Sequence, residues 1–120
     1  MSVPQLIANR WECPDGTILH SKYRHDFVEH GEHFVDGGND YARVTEGLID
    51  RCIYSDDPFE LQREFFVWGS YGKNGDEDRH WIALKDLTTE HIYAILATQW
   101  YVKDTYIEEL FNQELEWRNA

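Results

Sequence analysis

The sequence has too little cysteine for a disulfide scaffold, a zinc ribbon or a redox motif: Cys13 and Cys52 stand far apart, with no CxxC spacing. Both are expected to be free thiols. No apolar run approaches the roughly 18 residues of a membrane span. The first residues, MSVPQLIANR, lack the basic head and long apolar centre of a secretory signal. A soluble, cytoplasmic protein without membrane contact is expected. Basic residues are scarce as well: 11 Lys and Arg stand against 23 Asp and Glu, a formal charge of −12. Residues 1–55 carry 5 basic and 9 acidic side chains, and residues 56–120 carry 6 and 14. Direct nucleic-acid binding depends on neutralising phosphates with cations, so none is expected. An acidic chain could imitate DNA, but the net charge here is about one per ten residues, whereas B-DNA carries about one per 1.7 Å. A solvated acidic surface, with Glu108, Glu109, Glu114 and Glu116 on the last helix, accounts for the same count.

Proline occurs three times only, and no repeat, low-complexity stretch or linker interrupts the chain. Its 42% hydrophobic and 15% aromatic content suffices for one core. The reading is a single α+β domain over residues 1–120: an antiparallel β-meander with about three helices packed on one face. Up to about residue 45 the punctuation is that of strands. CPDGT (13–17) is a hairpin turn, 17–30 is one bent strand or two strands broken near Ser21-Lys22, and His30-Gly31 and GGN mark further turns. Helices follow. SDDPFELQREFFVWG places Asp57 at the N-cap and Pro58 at the first helical position, with Leu61, Phe65 and Trp68 as a buried stripe over 57–68. WIALK, residues 81–85, reads as a strand extending the sheet. TTEHIYAILATQW is a helix capped by Thr88 or Thr89 that buries Ile92, Ile95 and Leu96, and a last helix from Asp104 buries Ile107, Leu110, Phe111 and Leu115.

Two constellations carry candidate chemistry. RHDFVEHGEHFVDGG (24–38) holds three histidines and four acids. With His30-Gly31 as the turn, His25 faces Asp36 beside Phe27 and Phe34, which is half of an acid/base arrangement. No nucleophile is placed with it, and His20, His25 and His30 alternate faces of a strand, so neither a catalytic residue nor a metal site is assigned. The second is WGSYGKNGDEDRHW (68–81): Trp68, Tyr71 and Trp81 offer stacking faces, Lys73 and Arg79 can meet an anion, and three glycines permit close approach. That composition suits a nucleotide or another planar anion, or alternatively a loop whose tryptophans anchor helix to sheet. A Walker-type phosphate loop is absent.

The combination of PDGT, RHDFVEH, VDGGNDY, SDDPFELQRE, WGSYGKNGD and LKDLTTEHIYAILATQ resembles a family of small uncharacterised proteins encoded by tailed bacteriophages, from about Arg10 to the last helix. Family members often have Pro where this chain has Asp78. The resemblance implies a viral protein with an accessory role in the host cytoplasm, and it supplies no activity or catalytic residue. A non-enzymatic binder is expected, acting in counter-defence by capturing a nucleotide-type signalling molecule or by inhibiting a host protein. The candidate binding residues are Trp68, Tyr71, Lys73, Arg79, Trp81, His25 and Asp36, no cofactor is implied, and a homo-oligomer is compatible with the sequence. The alternatives are an acidic DNA mimic, or a small nucleotide hydrolase using His25 and Asp36 with Asp26, His33 or Asp40.

Overall fold

The structure is a computed structural model that describes residues 4–38, 41–72 and 74–119. Four consecutive buried residues, Leu6 to Asn9, mark β1 (Leu6–Glu12) as a strand covered on both faces. It is the central strand of its sheet. β2 (Ile18–Ser21) pairs with it through the CPDGT turn, where Gly16 takes φ +91°, its N–H donates to the Cys13 carbonyl at 2.9 Å, and Asp15 accepts from the Thr17 N–H at 3.0 Å. The chain breaks after Ser21, and β3 (Phe27–His30), β4 (His33–Asp36) and β5 (Arg43–Val44) form a separate antiparallel sheet. β6 (Ile49–Asp50) and β7 (Ile53–Tyr54) then return to β1, opposite Trp11–Glu12 and, across a bulge, opposite Leu6 and Ala8. Val28, Val35 and Val44 face one another across β3, β4 and β5 and pack with Cys13, Leu19, Trp11 and Leu48.

The β3–β4 register differs from the sequence expectation. Gly31 and Glu32 form the turn, so His30 pairs with His33, Val28 with Val35, and Phe27, not His25, with Asp36. A two-residue hairpin requires positive φ at its first central position. Gly31 supplies it at +63°, whereas the expected register would have placed His30 there.

α1 (Phe59–Phe65) is also shorter than its periodicity suggests. Residues 66–70, FVWGS, are rich in strand formers, and Val67–Ser70 is β8, paired with β9 (His80–Ala83) in a two-stranded sheet of its own. The buried stripe shifts accordingly. Gln62 and Phe66 are buried, Phe65 is half-buried beneath the Arg10 guanidinium at 3.9 Å, and Trp68 lies on β8. The Gln62 amide is satisfied by the Ser55 and Asp57 carbonyls at 3.1 and 2.7 Å. β9 ends in a 3-10 turn at Leu84–Asp86. It pairs with β8 and does not extend the N-terminal meander.

By its contacts the chain divides into two units, Met1–Phe65 and Phe66–Ala120. In the second, Thr88 caps α2 (Thr89–Thr98) by accepting from the His91 N–H at 3.0 Å. α2 and α3 (Tyr106–Asn119) bury Ile92, Ile95, Leu110 and Phe111, with Phe66, Leu84, Leu87 and Val102. Glu114, expected on the solvated face, is instead fully buried, its carboxylate held by Arg118 at 2.7 Å. The fold is α+β, with antiparallel sheets and three α-helices. Among the described residues no helix is long and apolar enough to cross a membrane.

Phe66→Ala should cost about 3–5 kcal/mol, as expected for a buried phenylalanine packed edge-on against Phe111 at 6.1 Å between centroids. Phe65→Ala should cost distinctly less, because that ring is only half-buried. Urea unfolding midpoints compare the two, and a larger loss at Phe65 would restore the stripe the sequence suggested.

Candidate functional site

The stretch LIANRW places an amide in the middle of an apolar strand. Asn9 is fully buried, where an amide left without partners would cost about 1–3 kcal/mol per lost hydrogen bond. Two of its partners among the described residues, Trp11 and Tyr41, line one cleft. Its Oδ1 accepts from Trp11 Nε1 at 2.8 Å and from the Cys52 thiol at 3.7 Å, and its Nδ2 donates to the Tyr41 carbonyl at 3.3 Å. One side chain therefore ties β1 to the segment before β5 and to the link between β6 and β7. Burial pushes the Cys52 thiol up to about 12, so it stays protonated and serves as a donor.

The cleft has a volume of about 570 Å³ and is lined by Pro4, Gln5, Leu6, Trp11, Tyr41, Ala42 and Tyr54. It is an open depression at the surface, not an enclosed cavity. Tyr41 is held from two sides: its carbonyl by Asn9, and its hydroxyl by His25 Nδ1 at 2.8 Å. His25 reaches it from a left-handed backbone at φ +63°, with its N–H donating to the Gly37 carbonyl at 3.1 Å. Glycine is required at position 37, since a Cβ there would run into the Tyr41 carbonyl. The VDGGNDY motif thus serves to bring Tyr41 into place. Tyr54 lies opposite Leu6 across the β1–β7 pair, and its N–H donates to Asp57 Oδ2 at 2.7 Å. Burial raises its phenol pKa, and Cys52, Asp50 and Asp57 add in the same direction.

Within the 24–38 stretch His33 lies 4.0 Å from its neighbour Glu32, and other histidines and acids of the stretch take partners outside it. His30 bonds Asp15 Oδ2 at 2.7 Å, His33 bonds Thr45 at 3.2 Å, and Asp26 accepts from the Lys22 N–H at 2.8 Å. Asp36 pairs with Arg43 at 3.2 Å, on the face where Phe27 stacks on Phe34 at 5.1 Å. His25 and Asp36 therefore do not form the pair that the expected register required. Asp40 and Lys73 lie outside the described residues. Among the described residues no three of His, Cys, Asp and Glu are grouped as ligands for a metal ion.

In the second unit, the rings between 68 and 81 are used by local packing. Trp68 stacks on Tyr101 at 6.5 Å and meets Phe111 edge-on at 5.6 Å. Trp81 lies across Gly69, its register partner, with the Arg79 guanidinium 4.8 Å from its ring centre. Glu77 packs against Gly72, where its carboxylate takes the space a side chain would fill. Tyr71 is half exposed.

Sequence patterning missed Asn9, Trp11, Tyr41 and Tyr54 as a group. The one signal was the polar Asn9 inside an apolar strand, since a buried amide must find partners. No protein-family model, curated protein or solved structure matches the chain.

His20, paired across the strands with Arg10, gives the first unit a pH dependence. Burial, then Lys22 and Arg10, lowers its pKa from 6.5 to about 4. Between those values the unfolded chain binds a proton that the folded chain refuses. Stability is thus full above pH 6.5 and declines as pH falls toward 4, by up to about 3 kcal/mol. Asp15 acts in a lower window. The Thr17 backbone N–H and His30 hold it at about 2, so its contribution, complete above 3.8, is lost as pH falls through 2. Urea titrations at pH 7 and 4.5 should show His20→Gln flattening the upper window, and an unchanged slope would refute the assignment.

Proposed function

We propose that this chain is a small phage accessory protein that binds a host partner without transforming it, and that the Trp11–Tyr41–Tyr54 cleft is the binding site. The observation that carries the reading is a cleft with three aromatic residues in its lining, two of which, Trp11 and Tyr41, are tied together by one fully buried amide. Such preorganisation lowers the entropic cost of binding. Among the described residues the lining offers aromatic, aliphatic and amide groups, with no carboxylate, imidazole or thiol to act as base or nucleophile. The viral origin and host target rest on the motif resemblance, and two of those motifs, RHDFVEH and VDGGNDY, supply His25 and Tyr41. Inhibition of a host defence protein is the leading version, because aromatic anchors in a cleft are a common basis of protein recognition. Capture of a nucleotide-type signal is the second, favoured by half-exposed Tyr71 beside the Arg79–Trp81 pair. Expression in bacteria carrying antiphage defences should restore plating of a restrained phage, and Tyr41→Leu should abolish that effect. Plating that the intact chain fails to restore across a panel of defences would remove the counter-defence role.

A further inference from the structure

The cleft is bordered by negative charge. Asp50 is the direct cross-strand partner of Trp11, so the two side chains project from the same side of the sheet. Asp57 is bound to the backbone of Tyr54, and both carboxylates lie near enough to the Tyr54 phenol to raise its pKa. Nearby arginines of this unit are engaged elsewhere: Arg10 over the Phe65 ring, Arg51 with Glu12 at 3.2 Å, and Arg43 with Asp36. Asp50 and Asp57 do not line the cleft but stand next to residues that do, so an anion in it would face unfavourable charge. A cation would lie among three aromatic side chains with counter-charge nearby, and aromatic rings attract cations.

We propose that the cleft takes a basic side chain, arginine in preference to lysine, presented by an exposed segment of a partner protein. Its charged head lies against Trp11, Tyr41 and Tyr54, and Asp50 and Asp57 supply the counter-charge. A planar guanidinium can stack on a ring while its edge donates to carboxylates, which a compact ammonium cannot do. The cleft of about 570 Å³ exceeds one head group, leaving room for the residues that flank the arginine. The chain's net charge of −12 speeds the approach of a basic segment and makes that approach sensitive to salt. This assignment rests on the cleft being the binding site, and names the chemistry of what enters it.

The probes are three blocked pentapeptides in which arginine, citrulline or glutamate is flanked by glycines, with adenosine monophosphate as the anionic control. The readout is the Trp11 indole N–H resonance of the intact chain. The arginine peptide should bind roughly fivefold or more tightly than the citrulline peptide, the margin of a partly desolvated cation–π contact, and should weaken with salt. Tyr41→Leu should abolish binding. Asp50→Asn, which keeps a carbonyl oxygen to accept from the Cys52 N–H, should weaken it severalfold, and it serves as the test if Tyr41→Leu fails to fold. Equal binding of arginine and citrulline would make the cleft an uncharged peptide groove and overturn the proposal, as would tighter binding of the nucleotide. If no peptide shifts Trp11 while Tyr41→Leu still abolishes host activity, the basic guest is wrong and the cleft remains the site. If Tyr41→Leu folds, keeps host activity and no peptide binds, both readings fall.

Discussion

Arg118→Met should lower stability by about 3–5 kcal/mol, the cost of leaving a buried carboxylate without its cation. Glu114 is fully buried in α3, and Arg118, one helical turn later, bonds it at 2.7 Å. The same guanidinium donates to the Leu87 carbonyl at 2.6 Å, the Leu84 carbonyl at 3.2 Å and Thr89 Oγ1 at 3.0 Å. It therefore closes the end of α3 onto the 3-10 turn and the start of α2. Methionine keeps much of the apolar stem and removes every donor. Replacing both partners, Glu114→Leu with Arg118→Met, should cost less than Arg118→Met alone, because no buried charge is then stranded. Urea midpoints for the two variants check the order. A double variant less stable than the single one would show that a stranded Glu114 carboxylate is not the source of the loss.

Asn9→Leu should cost about 2–4 kcal/mol, because the Trp11 indole N–H and the Tyr41 carbonyl lose their partner in a buried setting. It should also loosen the cleft walls, so that binding falls by more than stability alone would explain. Asn9→Asp should be worse still. A carboxylate can accept from Trp11, but it places negative charge against the Tyr41 carbonyl, with no cation bonded to Asn9 among the described residues. Thermal unfolding gives the stability change. The dispersion of the Trp11 indole resonance reports the cleft. A stable Asn9→Leu variant with an unshifted indole signal would show that the amide is not what organises these rings.

The parts of this fold legible in the sequence were those written in local chemistry. The CPDGT turn and the Ile92–Ile95 stripe each depend on a few adjacent residues, and local chemistry offered the break near Ser21 and the Thr88 cap each as one of two readings. The misreadings came where distant pairing decided the outcome. Residues 66–70 continue a helical apolar period, yet their β-forming side chains found HWIA as a partner, so the helix ended at Phe65. The β3–β4 register turned on which residue accepts positive φ, and Gly31 settled it against His30. With that shift the expected His25–Asp36 pair dissolved, and His25 became a support for Tyr41 instead. The cleft was illegible for the same reason. Its walls come from residues 4–6, 11, 41–42 and 54, and Trp11 and Tyr41 are joined by Asn9, whose partners no local pattern reveals.

A paired comparison of Tyr41→Leu and Tyr71→Ala in the phage-plating assay tests most directly whether the cleft is where this chain meets its partner. Both rings are partly exposed, at 38% and 50%, so neither change should unfold the chain, which circular dichroism verifies. Loss of activity in Tyr41→Leu with full activity in Tyr71→Ala is the result expected of a site built around Asn9. The reverse, an active Tyr41→Leu and an inactive Tyr71→Ala, would contradict it and move the site to the aromatic loop of residues 68–81.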